Sequence, residues 1–328
     1  MKKRWKKILS LGLIGMMTLG LVGCGGDTQE APKAETATEP LTIGLLRIDD
    51  SLPFYVAEEA GLFAKHDVEV ELVSFSSGRD QSTALDAGEL DGMMTDPVVT
   101  GLSLKGGTDV RMVAMAFGAV AEEGRFLVVS APNSGITEPQ DLLGKTVAIS
   151  SNTMMDYLVY RYEGLLGLDA AQIEKVSMPD LMMRTTTLLE GKNIDAAILP
   201  DPLAAYAVAE GANVVIDDTK LGQNISQSVV IMTKASIDNR TGDVEKMLAA
   251  YNEAIELINN EPENWKTFAM EKANVPAAIA EEYRTPSFTA GVVPSEEDLA
   301  PVWDWFVTKG LIEQPYSYEE VVDTRFCE

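Results

Sequence analysis

The sequence predicts a two-lobed α/β protein with a ligand cleft between its lobes. Three observations carry this. From Leu41 to Leu104, apolar runs of strand length alternate with helix-length amphipathic stretches, and the same alternation restarts after Gly144. The run Gly88-Glu89-Leu90-Asp91-Gly92-Met93-Met94-Thr95-Asp96-Pro97 is echoed by Gly191-Lys192-Asn193-Ile194-Asp195-Ala196-Ala197-Ile198-Leu199-Pro200-Asp201-Pro202. Repeated β-α-β units of this length demand parallel strands covered by helices, and in such sheets ligands sit beyond the carboxyl ends of the strands.

Taken in order, Thr42 to Ile48 is a mostly apolar strand, and Pro53 opens a helix whose apolar face runs through Phe54, Ala57 and Leu62. Val68 to Phe75 is the next strand. Two more follow at Val110 to Phe117 and Arg125 to Ser130, the second leading the chain out of the first lobe. In the second lobe, strands at Thr146 to Ser150, Ile173 to Ser177, Asp195 to Leu199 and Asn213 to Ile216 alternate with helices at Thr153 to Leu166, Asp180 to Leu189 and Asp201 to Glu210. Ser226 to Thr233 is a returning strand, after which the pattern is helical: Val244 to Asn260, Glu263 to Glu271, Pro276 to Tyr283 and Ser295 to Lys309. Each Asp-Pro reads as a helix start, with Asp as N-cap and Pro at the first helical position. These readings divide the chain at 41–130 for the first lobe, 131–225 for the second, and 226–328 for a return to the first with C-terminal helices. Two crossings between lobes make a hinge, which suits closure on a ligand.

The N-terminus points to a compartment. MKKRWKK followed by ILSLGLIGMMTLGLV is a basic region and a short apolar run, the pattern of a secretory signal over residues 1–23. Leu21-Val22-Gly23-Cys24 resembles the bacterial lipobox, so Cys24 is the expected lipidation site and residues 24–40 a flexible tether without large apolar side chains. The chain carries 26 basic and 51 acidic residues, a net charge of −25; five of the basic residues lie in the signal, and its removal takes the charge to −30. So acidic a body repels nucleic acid and anionic lipid, leaving the anchor as the membrane contact. Cys327 is the other cysteine and His66 the lone histidine. They form no disulfide framework, metal site or catalytic triad, and no cofactor or catalytic residue is expected.

The first lobe's strand ends are Ile48-Asp49-Asp50, Phe75-Ser76-Ser77-Gly78 and Thr95-Asp96-Pro97, the expected wall of the cleft. Asp49 and Asp50 are adjacent carboxylates, so at least one requires a donor: a backbone N–H, Arg47 or a ligand. Ser151, Asn152 and Thr153 precede a helix, where they cap it or offer outward amides to a polar ligand group. Phe54 and Tyr157, each near the start of a cleft-facing helix, are core residues or rings for stacking on a ligand.

The segments LPFYVAEEAGLFAKHDVEVELVSF, SGRDQSTALDAGELDG, DLLGKTVAIS and LLEGKNIDAAILPDP, in this order and spacing, resemble the solute-binding lipoproteins of ABC importers in the NMT1/THI5-like group, whose members include nitrate, taurine, sulfonate and thiamine-precursor binders. The resemblance implies a periplasmic-binding-protein-like (type II) fold, a small-molecule solute, an ABC permease with its ATPase as partners, and a monomer anchored to the outer face of the cell membrane. It implies ligand contacts at Asp49, Asp50, Ser51, Phe54, Ser76, Ser77, Thr95, Asp96, Ser151, Asn152, Thr153, Tyr157, Asp180 and Asp201. Because the cleft loops hold more carboxylates than the nearby Arg47, Arg79 and Arg184, a neutral or cationic nitrogenous ring such as a pyrimidine is the favoured solute, with a sulfonate, taurine or nitrate anion as the alternative. A ligand-sensing lipoprotein, or an enzyme of the family's pyrimidine-synthesising type, is the remaining class.

Overall fold

The computed structural model describes residues 39–120 and 123–327. The signal, Cys24 and the tether up to residue 38 lie outside the described residues. The strands are β1 (Leu41–Leu46), β2 (Val70–Phe75), β3 (Gly92–Thr95), β4 (Val110–Phe117), β5 (Phe126–Ser130), β6 (Thr146–Ile149), β7 (Glu174–Ser177), β8 (Ala196–Pro200), β9 (Asn213–Asp217) and β10 (Ser228–Thr233). They form two five-stranded sheets of the same plan, β2-β1-β3-β10-β4 and β7-β6-β8-β5-β9. In each, one strand arrives from the other lobe and inserts antiparallel: β10 between β3 and β4, β5 between β8 and β9. The central strands β3, β5 and β8 are buried throughout, which is why they read as unbroken apolar runs; the edge strands β2 and β7 have no fully buried position.

The strand expected to end the first lobe belongs to the second. An apolar run like Phe126–Ser130 fits either sheet, and only its pairing with β8 and β9 decides. The first crossing is therefore residues 118–125, not the stretch after Ser130, and the return runs through residues 218–227. Asn224 staples the crossings by donating from Nδ2 to the carbonyls of Gly118 and, at 3.2 Å, Val120. Gly118 has φ +92°, and a Cβ there would lie 2.9 Å from Asn224 Nδ2 and 3.1 Å from Gln227 Cα, so the hinge requires glycine on both counts. The expected helix at Pro276 to Tyr283 shrinks to a 3-10 turn at Ala277–Ile279. With Ile279 and Tyr283 as its only buried apolar residues, the segment has one turn's worth of face to bury.

The echoed sequence has a structural cause. Asp91, just before β3, takes the Thr42 amide on Oδ2 at 2.9 Å and returns its own amide to the Thr42 carbonyl at 2.9 Å. Asp195, just before β8, takes the Thr146 amide and Oγ1 at 2.8 Å each and donates its amide to the Thr146 carbonyl at 3.0 Å. In both lobes the aspartate pins the first strand to the third across an identical 49-residue separation. Helices cover both sheets. Glu296–Thr308, in the C-terminal part, packs on Pro97–Gly106 of the first lobe and Met154–Leu166 of the second. Among the described residues no helix is long and apolar enough to cross a membrane.

Removing either staple strands a strand-end amide whose partner is gone. Asp91→Ala and Asp195→Ala should each lower unfolding stability by about 2 kcal/mol, read as a lower urea midpoint with an unchanged slope.

Candidate functional site

The carboxyl ends of the parallel strands in the two sheets face one another, and the space between is divided into compartments. A narrow cavity of about 70 Å³ lies in the middle, a groove of about 290 Å³ flanks it, and a chamber of about 830 Å³ opens on the hinge side. Gly78, Thr153 and Pro179 line both the narrow cavity and the groove. At three places beside the strand ends, chain neighbours part company. Asp50, Phe126 and Pro200 line the narrow cavity, whereas Asp49, Arg125 and Asp201 line the wide chamber.

The narrow cavity has apolar walls with polar groups set among them. Leu46, Ile48 and Met94 face Phe126, Met154 and Leu181 from the opposite lobe. Asp50 is buried and accepts the Ser228 hydroxyl at 2.6 Å at the start of β10; burial raises its carboxyl to about 6. Asp96 caps Pro97–Gly106 through the Val99 amide at 2.8 Å and, with its other oxygen, accepts the Met154 amide of the second lobe at 3.3 Å. Burial lifts it to about 6, against the pull of those amides. Arg184 is the cavity's cation. Fully buried, it donates from Nε to the Ile198 carbonyl at 3.0 Å and from Nη1 to Met178 at 2.7 Å, and burial lowers it to about 10, leaving it charged at neutral pH. Arg184 Nη2 and Ser150 Oγ are buried and take no hydrogen-bond partner.

In the wide chamber Asp49 accepts the Tyr283 hydroxyl at 2.7 Å, and burial raises it to about 8. Asp201 holds Arg125 with both oxygens, at 2.6 and 2.9 Å, and takes the Ala205 amide at 3.1 Å. It is not the N-cap expected of it: the helix begins at Leu203 with Pro202 as its cap. The two Asp-Pro sites are therefore not equivalent.

Of the expected ligand residues, Asp50, Thr95, Asp96 and Thr153 meet in the narrow cavity, Ser151, Asn152 and Thr153 in the groove, and Asp49 and Asp201 in the chamber. Thr153 caps its helix as one reading held, accepting the Met155 amide at 3.3 Å. Several others lie elsewhere. Phe54 is fully buried in the first lobe's core with its ring 4.7 Å from that of Tyr251, because the cleft-facing residues there belong to the 3-10 turn Asp49–Ser51 that precedes its helix. Tyr157 packs edge-on to Trp305 at 5.8 Å and its hydroxyl accepts Arg161 Nη1 at 2.6 Å, so its ring faces the C-terminal helix and not the cavity. Ser51 is buried beneath its turn, Ser76 is exposed, and Ser77 and Asp180 cap the helices Gly78–Asp86 and Leu181–Leu189. Arg47, the proposed partner of Asp49 or Asp50, instead donates to the carbonyls of Glu271 and Lys272. Sequence reasoning missed Tyr283, Ser228 and Arg125 as partners of the cleft carboxylates; each lies 76 to 234 residues away, and nothing local marks it.

Raised carboxyls have a definite linkage sign. With the ordinary value at 3.8, folded-state values of about 6 for Asp50 and Asp96 and about 8 for Asp49 mean that the folded chain holds extra protons. Their stability contribution is present in full below about pH 4 and is lost as pH rises through 6 and then 8. Calorimetry on the purified protein should therefore show the melting temperature falling from pH 5 to pH 8, and Asp50→Asn should flatten the slope around pH 6.

Comparisons with known proteins place this geometry. The fold matches the periplasmic aliphatic sulphonate binding protein SsuA from Escherichia coli at TM-score 0.70 and 21% identity, covering 88% of this chain and 92% of that one. It matches the ligand binding component of an ABC-type import system from Staphylococcus aureus, with zinc bound, at TM-score 0.70 and 14% identity, covering 88% and 98%. The desulfurization enzyme DSZB matches at TM-score 0.62 and 15% identity, covering 87% and 97%. No curated protein sequence matches. Such identities establish the fold, that of the two-lobed periplasmic binding proteins. The model of the NMT1-like family matches residues 34–271, well over half of the sequence, and the chain belongs to the NMT1-like family.

Proposed function

We propose that this protein is the solute-binding component of an ABC importer, closing its lobes on a small solute outside the cytoplasm and passing it to a permease and its ATPase. The observation that carries the reading is the narrow cavity: a buried seam between two hinged lobes, with two unused polar groups, Arg184 Nη2 and Ser150 Oγ, beside the carboxylates of Asp50 and Asp96. Unpaired buried donors of this kind cost stability until something binds them. Similar chains of this fold are themselves named as a sulphonate binding protein and an import-system component.

The solute is a small nitrogenous molecule, neutral or cationic, such as an aminopyrimidine. Its N–H groups donate to Asp50, an acceptor nitrogen or oxygen takes Arg184 Nη2, and the ring lies between the Met94 and Met154 sides of the cavity rather than on Phe54 or Tyr157. Two carboxylates against one guanidinium leave the site negative when all are ionised. A sulfonate is the second reading, favoured by the free Arg184 Nη2. Anchoring through a lipid on Cys24 belongs to the same proposal.

A thermal-shift panel of pyrimidines, polyamines, sulfonates and nitrate tests this. At a hundredfold excess over its dissociation constant the true solute should add about 2.7 kcal/mol of stability and be recovered unaltered. Asp50→Asn should weaken a nitrogenous solute about tenfold, whereas stabilisation by sulfonate or nitrate alone, unmoved by Asp50→Asn and lost in Arg184→Lys, would replace it with the anion reading. Chemical conversion of the stabilising solute would refute the receptor. For the anchor, Cys24→Ser should shift the protein from the membrane to the soluble fraction, and retention after a high-salt wash would disprove lipid anchoring.

A further inference from the structure

The wide chamber is built differently from the narrow cavity: its lining sets the carboxylates of Asp49, Asp201 and Glu282 against the guanidinium groups of Arg125 and Arg284. Asp49 is 6% exposed; its Oδ1 accepts Tyr283, and its Oδ2 accepts no hydrogen bond among the described residues. The basic groups that line the chamber are already engaged. Arg125 is gripped by both oxygens of Asp201, and Arg284 Nη1 donates to the carbonyls of Glu281 and Tyr283 at 2.8 Å. Glu282 adds a further carboxylate, and Phe117, Ile279 and Pro286 supply apolar wall. A buried carboxyl with one neutral hydroxyl and no cation of its own holds a proton at neutral pH, and a positive group that donates N–H can take that proton's place. A bare metal ion fits poorly, since no cluster of metal-ligating side chains exists among the described residues.

We propose that the wide chamber is a second binding site in the cleft, taking an organic cation: an ammonium or amidinium group on a small apolar frame, held by Asp49 with Tyr283 behind it and the frame against Phe117 and Ile279. This goes beyond the solute of the narrow cavity and does not depend on its identity. The apolar frame faces an aromatic ring, and the charge is neutralised at a carboxylate that is itself buried at the chamber's wall.

Calorimetric titration of the purified protein with benzylamine and benzamidine, against the neutral benzyl alcohol and benzamide, tests the assignment. Each cation should bind at least tenfold more tightly than its neutral counterpart at pH 8. Asp49→Asn should abolish that advantage, and Tyr283→Phe, which keeps the ring, should reduce it several-fold while the melting temperature shows the variant folded. The groups facing Asp49 are Tyr283, Asp50, Asp201 and Arg125, with Glu282 and Arg284 lining the same chamber. Since burial holds Asp49 at about 8, cation affinity should rise from pH 6 to pH 8 and level off above, with proton release on binding. Equal affinity for cation and neutral counterpart, or a cation advantage that survives Asp49→Asn, overturns the proposal. Cation binding that disappears in Asp50→Asn but not in Asp49→Asn places the cation in the narrow cavity, which rejects this site and leaves the receptor reading standing.

Discussion

Asp96 gives one oxygen to an amide of its own helix and the other to the first amide of a helix in the opposite lobe. Both donors sit at helix N-termini, where unsatisfied N–H groups and the helix dipole favour negative charge, so one buried carboxylate answers two of them at once. The narrow cavity, the approach of the two strand-end layers and the position of Thr153 all follow from that meeting. The arrangement also explains why a site rich in helix N-termini need not hold an anionic ligand: the protein has brought its own.

Closure is supported from behind as well as within. Buried apolar residues from both lobes join in one cluster that includes Val98, Met154, Met155, Tyr157 and Trp305, and the helix Glu296–Thr308 lies against both halves. Opening the cleft widely would expose this surface, at about 25 cal/mol per Å² of apolar area. The links between the lobes carry Gly118 and the Asn224 staple, and the packed back joins the two halves beside them.

The 3-10 turn after β1 sends neighbouring carboxylates into different compartments. Asp50 and Asp49 are chain neighbours, yet one lines a narrow apolar seam beside Arg184 and the other a chamber about twelve times larger by volume, about 830 against 70 Å³. Their partners differ accordingly: a hydroxyl on the returning strand β10 for Asp50, a phenol from the C-terminal segment for Asp49. Burial is the first cause of the raised carboxyl in both cases; the charge of Asp201 adds to it at both, and that of Asp50 adds further at Asp49.

The sequence by itself determined the architecture. Apolar runs of strand length between amphipathic helices, the Asp91 and Asp195 echo and the strand-end carboxylates are local or periodic signals, and they placed the two lobes and put Asp50, Thr95, Asp96 and Thr153 at the cleft. Tertiary structure decided what those residues face. Whether Phe126–Ser130 joined the first sheet or the second depended on which edge it paired with, since its composition suits both. Phe54 and Tyr157 turned inward because a helix distributes its side chains around its axis, and packing against Tyr251 and Trp305 claimed those faces. Arg184, read as one of three scattered cations, became the cavity's only guanidinium because β7, β8 and its own helix close over it. The partners of Asp49 and Asp50 come from 178 to 234 residues along the chain, a distance at which only the folded backbone brings one group to another.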